Sequence, residues 1–170
     1  MAKILLFGSS SITGVPQEQL NWIYAYTQQG HEFIVGDKKG ADVAFHKALS
    51  SCGAISKSTI YSMGAPRNNL YEIKSCIFDT FYDADAKQVT IAKRGNTQGE
   101  IDESFTPFII DDVAQEIDIP GNRQYYEFLD RKMIDDCDMA ICLWDGEGKG
   151  IMHCIQLLNI KNKPCYTIKF

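Results

Sequence analysis

The chain has 170 residues and a formal net charge of −5. This length predicts one domain with its own hydrophobic core, and the acidic balance argues against general binding to nucleic-acid backbones, which needs a basic face. No apolar run approaches the roughly 20 residues of a membrane span, and no signal-peptide pattern opens the chain. A cytoplasmic protein without a membrane partner is therefore expected.

Six cysteines are spread along the sequence without a C-x-x-C pair, and no histidine lies at metal-ligand spacing from them. Such isolated cysteines inside apolar patterns are typical of small, reduced core residues. The sequence therefore predicts neither a metal site nor a bound cofactor. The cysteines are Cys52, Cys76, Cys137, Cys142, Cys154 and Cys165.

The first third of the chain alternates short apolar runs with helical stripes. Strands are predicted over residues 4–7, 33–35 and 58–61, because continuous apolar runs are typical of buried strands. A first helix is opened by Pro16 and stopped by Gly30, and a second covers about residues 40–52. Their predicted inward faces consist of Leu20, Ile23, Tyr24 and Thr27, and of Ala41, Ala44, Phe45 and Ala48.

The stretch from about residue 66 to 121 interrupts this alternation. Two β-like runs, 77–82 and 88–92, predict a hairpin that projects from the edge of the sheet. Asp111 and Asp112 are expected to cap a short helix over residues 113–117. A structural cover, a dimer surface and a ligand lid all fit this insertion.

The alternation returns after the insertion. Tyr126, Leu129 and Met133 share one face of a predicted helix, which is followed by a core strand over residues 139–144. A last helix precedes a strand over residues 165–168. The predicted fold is α/β, a Rossmann-like open parallel sheet with helices on both faces and a β-hairpin-containing insertion, in a single domain over residues 1–170.

Three glycine-bearing loops follow predicted strands, over residues 7–11, 35–42 and 144–150. The carboxyl ends of parallel strands share one edge of a sheet, where helix N-termini offer N–H groups to an anion, so a phosphorylated small molecule is expected in one crevice. The candidate ligand-binding residues are Gly8, Ser9, Ser10, Gly36, Asp37, Lys38, Gly40, Asp42, Arg131, Trp144, Asp145, Gly146, Gly148, Lys149 and Gly150.

Several of these residues have a second, structural interpretation. Asp42 fits a ribose contact and equally the positive start of a helix. Arg131 fits a ligand contact or an ion pair with Asp135, and Trp144 fits a base platform or the core. Lys149 is the lysine predicted to contact phosphate. Tyr125 and Tyr126, beside Arg123, fit a stacking clamp in which one ring faces inward.

Motifs of the common nucleotide-binding and hydrolase sites are absent from the sequence. After the first strand the chain reads Gly8-Ser-Ser-Ser-Ile-Thr-Gly14, which is not the G-x-G-x-x-G of dinucleotide-binding proteins. Neither a P-loop nor a G-x-S-x-G nucleophile elbow occurs. The pattern therefore favours a nucleotide site of another kind.

The glycine loops resemble those of the SLOG superfamily, a Rossmann-like group that includes LOG phosphoribohydrolases, molybdenum-cofactor carrier-like proteins, DprA proteins and nucleotide-sensing domains. The resemblance covers roughly residues 3–60 and 122–169. It implies a nucleotide or nucleotide-derived ligand held by a sensor, carrier or sequestering protein. The matching segments are Gly36-Asp37-Lys38-Lys39-Gly40-Ala41-Asp42, Arg131 with Met133 ahead of Asp138, and Leu143-Trp144-Asp145-Gly146 followed by Gly148-Lys149-Gly150.

The chain departs from the LOG motif P-G-G-x-G-T-x-x-E, because Ile151 stands at the threonine and Cys154 at the catalytic glutamate. Hydrolysis of the LOG type is therefore not expected. Two alternatives stay open. One is an N-glycosidic hydrolase or deoxyribosyltransferase acting on nucleosides or nucleotides; the other is a dimeric interaction protein with an unused crevice. A homo-oligomer is expected. Candidate nucleophilic carboxylates are Glu103, Glu127, Asp130 and Asp145.

Overall fold

The computed structural model describes residues 1–95, 102, 108–110 and 123–170, and of residues 110 and 123–125 only the backbone. In chain order its elements are β1 (Lys3–Gly8), α1 (Gln17–Gln28), β2 (Glu32–Val35), α2 (Ala41–Ser51), a 3-10 turn (Ile55–Lys57), β3 (Ser58–Met63), β4 (Lys74–Asp83), β5 (Gln88–Lys93), β6 (Phe108–Ile110), α3 (Arg123–Asp136), β7 (Met139–Trp144), α4 (Lys149–Ile160) and β8 (Cys165–Lys169).

The described strands form one sheet in the order β6-β5-β4-β3-β2-β1-β7-β8. The five strands predicted from apolar runs are β1, β2, β3, β7 and β8, and they pair in parallel, with Leu5 opposite both Ile34 and Ala140. The α/β fold class is thereby confirmed. The prediction succeeded because strands that are buried on both faces consist of continuous apolar runs, and such runs can be recognised in a short stretch of sequence.

Alternate side chains of β1 enter two separate cores. Leu5 and Phe7 pack with residues of α3 and α4, whereas Ile4 and Leu6 pack on the opposite face with residues of α1 and α2. This alternation follows from the two-residue period of a strand. Helices therefore cover both faces of the sheet, as predicted.

The predicted hairpin lies at the edge, but it does not project from the sheet. β4 is ten residues long, and its first half pairs in parallel with β3 from Lys74 to Phe78. Its second half pairs with β5, which continues the sheet toward β6. Burial of Phe78 and Ile91 against the α3 face holds the pair in the plane of the sheet. The predicted cap and helix over residues 111–117 lie outside the described residues.

The predicted inward face of α1 is wrong at one position. Tyr24 is 56% exposed, whereas Gln19 is buried. The buried line of α1 runs through Gln19 and Ile23, which are four residues apart, and Tyr24 is turned about 100° away from it. Within the described residues, every helix is too short or too polar to span a membrane.

The backbone conformation of Gly40, directly before α2, leads to a prediction about stability. Its φ is +82°, and a Cβ there would overlap the backbone of Ser10. Gly40→Ala should lower the free energy of unfolding by about 2 to 4 kcal/mol, because strain and overlap add. Urea denaturation followed by circular dichroism measures this loss.

Gly53→Ala is the matched control for Gly40→Ala. Gly53 also has a positive φ, +70°, but a Cβ there would meet no atom within 4 Å. Backbone strain alone should cost about 1 kcal/mol in that variant. Equal losses in the two variants would contradict the close approach of Gly40 to Ser10.

Candidate functional site

A cleft of about 300 Å³ lies at the carboxyl ends of β1, β2 and β7, where α3 and the start of α4 border it. The structure thus brings the three glycine loops together, because parallel strands end at the same edge of the sheet. Ten of the fifteen candidate residues line this cleft: Gly8, Ser9, Ser10, Gly36, Asp37, Lys38, Asp42, Asp145, Gly148 and Gly150.

Ser9 joins the three loops to one another. Its N–H donates to the carbonyl of Leu143 at 2.9 Å, and its own carbonyl accepts the N–H of Ala41 at 3.1 Å. The Ser9 hydroxyl accepts the N–H of Asp145 at 3.0 Å, and the residue is 4% exposed. Ser9 was predicted as a hydroxyl donor to a ligand, and in the structure it holds the cleft together.

The Asp145 carboxylate binds N–H groups of the loop before α4, one of the glycine loops in which a phosphate was expected. It accepts the N–H groups of Glu147 at 2.9 Å and Gly148 at 3.3 Å, and the hydroxyl of Ser11 at 2.7 Å. These hydrogen bonds, that from Glu147 first, lower the pKa of Asp145. The carboxylate therefore orders the loop before α4 and occupies N–H groups that an incoming anion would need.

Asp37 is held by an arginine that the sequence patterns did not indicate. The Asp37 carboxylate accepts the backbone N–H of Arg67 at 2.8 Å and two guanidinium N–H groups at 3.1 and 2.7 Å. Asn68 also donates to the carbonyl of Asp37, at 2.7 Å. Asp37 is 1% exposed, and these bonds anchor the loop between β3 and β4 to the end of β2. Arg67 lies in the insertion, where no periodicity marks it.

Asp42 is buried on the floor of the cleft, at the start of α2. One carboxylate oxygen, Oδ2, accepts the N–H of Lys38 at 3.0 Å, and burial raises the pKa of Asp42 to about 7. Gly36 makes room for this side chain, since a Cβ at Gly36 would overlap Oδ2. Below it, His46 donates to the carbonyl of Gly36 at 2.8 Å, and burial lowers the pKa of His46.

A second carboxylate, Asp130 of α3, also lines the cleft. Burial raises its pKa, while the ammonium of Lys38, 3.8 Å away, acts in the opposite direction. The Cys154 thiol donates a hydrogen bond to the Asp130 carboxylate. Burial raises the pKa of this thiol to about 12, so the thiol stays protonated. Among the other predicted nucleophiles, Glu127 lines a different groove and Glu103 lies outside the described residues.

An aromatic ring lies near two cations at the rim of the cleft. The Lys38 ammonium is 5.6 Å and the Arg67 guanidinium carbon 5.0 Å from the centroid of the Tyr126 ring. Arg67 also donates to the hydroxyl of Tyr126 at 3.3 Å. Of the predicted stacking pair, Tyr126 is therefore the ring at the site, while the side chain of Tyr125 is outside the described residues.

Three of the remaining candidates lie away from the cleft. Arg131 lines a separate groove between α3 and α4, and its predicted partner Asp135 pairs instead with Lys161. Trp144 packs against the core with Lys169 above its ring, at 5.9 Å from the centroid. Gly146 packs against the Lys169 side chain. The structure therefore does not bring these three residues into the walls of the cleft.

Two further candidates contribute in other ways. Gly40 contacts Ser10 and so fits two loops against each other. Lys149 is the exposed first residue of α4, outside the walls of the cleft. Its chain neighbours Gly148 and Gly150 line the cleft, so Lys149 lies at the rim.

Comparison with known proteins identifies the fold. No family model and no curated protein matches the sequence. A solved structure of DNA processing protein A from Helicobacter pylori, described for its single-stranded DNA binding mode, aligns with 98% of this chain at a TM-score of 0.59 and 16% identity. The chain spans 64% of the length of that protein. The Rossmann-like fold is thereby supported.

This comparison corrects two predictions. The crevice was expected to hold a small nucleotide-type molecule in a sensor, carrier or sequestering protein, and general nucleic-acid binding was expected to be absent. The structural neighbour is described for its binding of single-stranded DNA, and this finding contradicts both predictions. The physical reason is that net charge describes the whole chain and says nothing of charge at one edge.

Asp42 predicts a pH dependence of stability. Its pKa in the folded chain, about 7, exceeds the ordinary 3.8, so the folded chain binds more protons than the unfolded chain between about pH 4 and 7. The free energy of unfolding should therefore fall as pH rises through this window, by up to about 4 kcal/mol. Asp42→Asn should abolish that part of the fall, because the amide stays neutral and its oxygen still accepts the Lys38 N–H.

The measurement is urea denaturation of the parent and of Asp42→Asn at matched pH values from 4 to 8. His46, whose lowered pKa acts in the opposite direction, and Asp130 titrate in both proteins, so the difference between the two curves isolates Asp42. The variant should gain stability relative to the parent as pH rises. A difference that stays constant with pH would contradict the buried, easily protonated carboxylate.

Proposed function

We propose that this chain binds single-stranded DNA along the side of the sheet at which the parallel strands have their carboxyl ends. The observation that carries the proposal is the Tyr126 ring, whose centroid lies 5.6 Å from the Lys38 ammonium and 5.0 Å from the Arg67 guanidinium carbon. Proteins that bind single strands combine aromatic rings, on which bases stack, with cations that follow the backbone. Tyr126 supplies the ring, and the two cations supply charge within reach of adjoining phosphates.

The Lys38 and Arg67 side chains are exposed enough to contact a DNA strand that lies across the rim of the cleft. The Lys38 and Arg67 side chains are 46% and 45% exposed, so both remain accessible although each has a carboxylate partner. The pairing of Arg67 with Asp37 fixes its guanidinium in front of the ring. A cation and a ring that are already positioned lose little conformational entropy when a base and a phosphate arrive.

Charge along the same edge supports contact with several phosphates. Five exposed cationic residues follow the carboxyl ends of the strands, namely Lys38, Lys39, Arg67, Lys149 and Lys169. Glu147, an exposed acidic residue in the loop before α4, opposes the charge of these cations. The carboxylates of Asp37 and Asp145 accept hydrogen bonds from protein groups. A chain with a net charge of −5 can therefore still offer exposed cations along one edge to a polyanion.

Membership of the SLOG superfamily is the finer proposal that accompanies this function. It rests on the glycine loops at the ends of β1, β2 and β7, and on the similarity of fold to DNA processing protein A. Because the identity is 16% and the chain spans 64% of that protein, the binding residues are derived from this chain's own geometry.

Replacement of Tyr126 tests base stacking directly. Tyr126→Ala should raise the dissociation constant for a fluorescent oligothymidylate about 5- to 100-fold, the usual effect of removing one stacking ring. Tyr126→Phe should bind like the parent, because the ring remains. Fluorescence anisotropy at a fixed, low salt concentration measures both.

Tyr24→Ala is the matched control, since Tyr24 is an exposed tyrosine of α1 on the opposite side of the sheet from α3. It should leave the affinity unchanged. If Tyr126→Ala binds the oligonucleotide as tightly as this control does, the rim does not hold the bases.

The salt dependence of binding tests the basic edge. Each phosphate contact on a single strand contributes about 0.7 to the slope of log K against log salt concentration. Lys149→Ala should therefore reduce the slope by about 0.7 and weaken binding most at low salt. Lys57→Ala, an exposed lysine before β3 at the opposite edge of the sheet, should leave the slope unchanged. Identical slopes in both variants would place the phosphates elsewhere.

A further inference from the structure

A second cavity lies at the other end of the parallel strands, where β1 to β4 begin. Its volume is about 240 Å³, and its described lining residues are all different from those of the cleft. Because β5 runs antiparallel to β4, the carboxyl end of β5 reaches the same place. The polar side chains that the argument uses are Lys3, Glu32, Thr59, Lys74, Ser75 and Lys93.

The strand register turns three lysines toward the face of the sheet that α3 covers. Lys3 is two residues before Leu5 and therefore shares its face. Lys74 is four residues before Phe78, and Lys93 is directly opposite Phe78 in the β4–β5 pair. Leu5 and Phe78 both belong to the core beneath α3. The three lysines thus reach one face of the sheet from three different strands.

The helix α3 ends beside this cavity and not over it. Tyr61 lines the cavity, and its hydroxyl donates to the carboxylate of Asp136, the last residue of α3, at 2.6 Å. The same carboxylate pairs with Lys132 at 3.0 Å. Asp138, which follows the helix, accepts the backbone N–H of Lys3 at 2.8 Å. Both acids at the end of the helix therefore already bind protein groups.

The walls of the cavity carry an excess of positive charge. Three lysines line it, against one acidic residue, Glu32. The Lys93 ammonium pairs with Asp102 at 3.4 Å. Lys3 and Lys74 are exposed and take no part in the ion pairs within the described part of the chain. Cations gathered around one cavity repel one another, and a bound anion would offset this repulsion.

The donors and the size of the cavity favour a phosphate group as that anion. Lysine ammonium groups bind phosphate as point charges, and the hydroxyls of Thr59 and Ser75 can donate to further oxygens. A volume of about 240 Å³ is below the range of pockets that enclose a whole ligand of nucleotide size. The cavity has room for a phosphate or diphosphate group, with the remainder of the molecule outside.

We propose that this cavity is a second, separate site, which binds a phosphate or diphosphate group through Lys3, Lys74 and Lys93. The group belongs either to a small phosphorylated molecule or to a nucleic-acid backbone, and the experiment separates these two sources. The proposal does not rest on the binding of DNA proposed above, because the cleft and this cavity lie at opposite ends of the parallel strands.

The experiment titrates pyrophosphate into the ¹⁵N-labelled full chain at low salt and follows each backbone amide by NMR. The amides of Thr59 and Cys76, which line the cavity, should shift and give a dissociation constant for this site. Lys74→Ala should raise that constant about tenfold, because one charge-assisted contact is lost. Lys74→Arg should stay within about threefold of the parent, because the charge remains.

Lys47→Ala is the matched control, since Lys47 is an exposed lysine of α2, on the opposite face of the sheet from α3. It should bind pyrophosphate like the parent. If Lys74→Ala and Lys47→Ala bind equally well, the proposed site is wrong. It is also wrong if the amides of Thr59 and Cys76 do not respond to pyrophosphate at all.

A second titration, with an oligothymidylate of about 12 nucleotides, identifies the source of the phosphate. If a nucleic-acid backbone enters the cavity, the oligonucleotide should shift the amides of Thr59 and Cys76 and displace pyrophosphate. If the site takes a small phosphorylated molecule, these amides should respond to pyrophosphate alone. An oligonucleotide that binds nowhere on the chain would refute the proposed function, while the pyrophosphate result would still decide on this site.

Discussion

The cleft depends on the hydrogen bonds of one buried serine. Ser9 binds the end of β7 through its N–H, the start of α2 through its carbonyl, and the loop before α4 through its hydroxyl. The first and the last of these bonds connect segments more than 130 residues apart in the chain. With no side chain at Gly8 and Gly40 to separate them, the three loops lie against one another. The positions of the floor carboxylates and of the glycine-lined walls follow from this junction.

The rim depends on a second buried contact, the ion pair of Asp37 and Arg67. A buried carboxylate is costly unless its oxygens are satisfied, and here three N–H groups of one residue satisfy them. The same contact holds the β3–β4 loop over the edge of β2 and turns the guanidinium toward Tyr126. A structural ion pair thus also positions the cation and the ring to which the proposed function assigns contact with DNA.

The sequence predicted the sheet better than the site, and the reason is the range of the interactions. Apolar periodicity is local, so residues 4–7 and 139–144 could be assigned to strands from their own neighbourhood. Arg67 is 30 residues from Asp37 and Ser11 is 134 residues from Asp145, and no spacing reveals these partners. The in-plane position of β4 depends likewise on pairing with β3. Arg131 lines the groove and its neighbour Asp130 lines the cleft, because helical phase decides between the two.

The proposed function requires a site that suits a polymer better than a mononucleotide. A mononucleotide needs its phosphate bound next to its base, yet Asp145 occupies the N–H groups of the loop before α4, and carboxyl groups line the cleft. The cations lie instead at separate places along the edge, after β2, β3 and β7 and at the end of β8. Under the proposed function, a single nucleotide cannot reach these cations together, whereas a DNA strand with successive phosphates along the edge can.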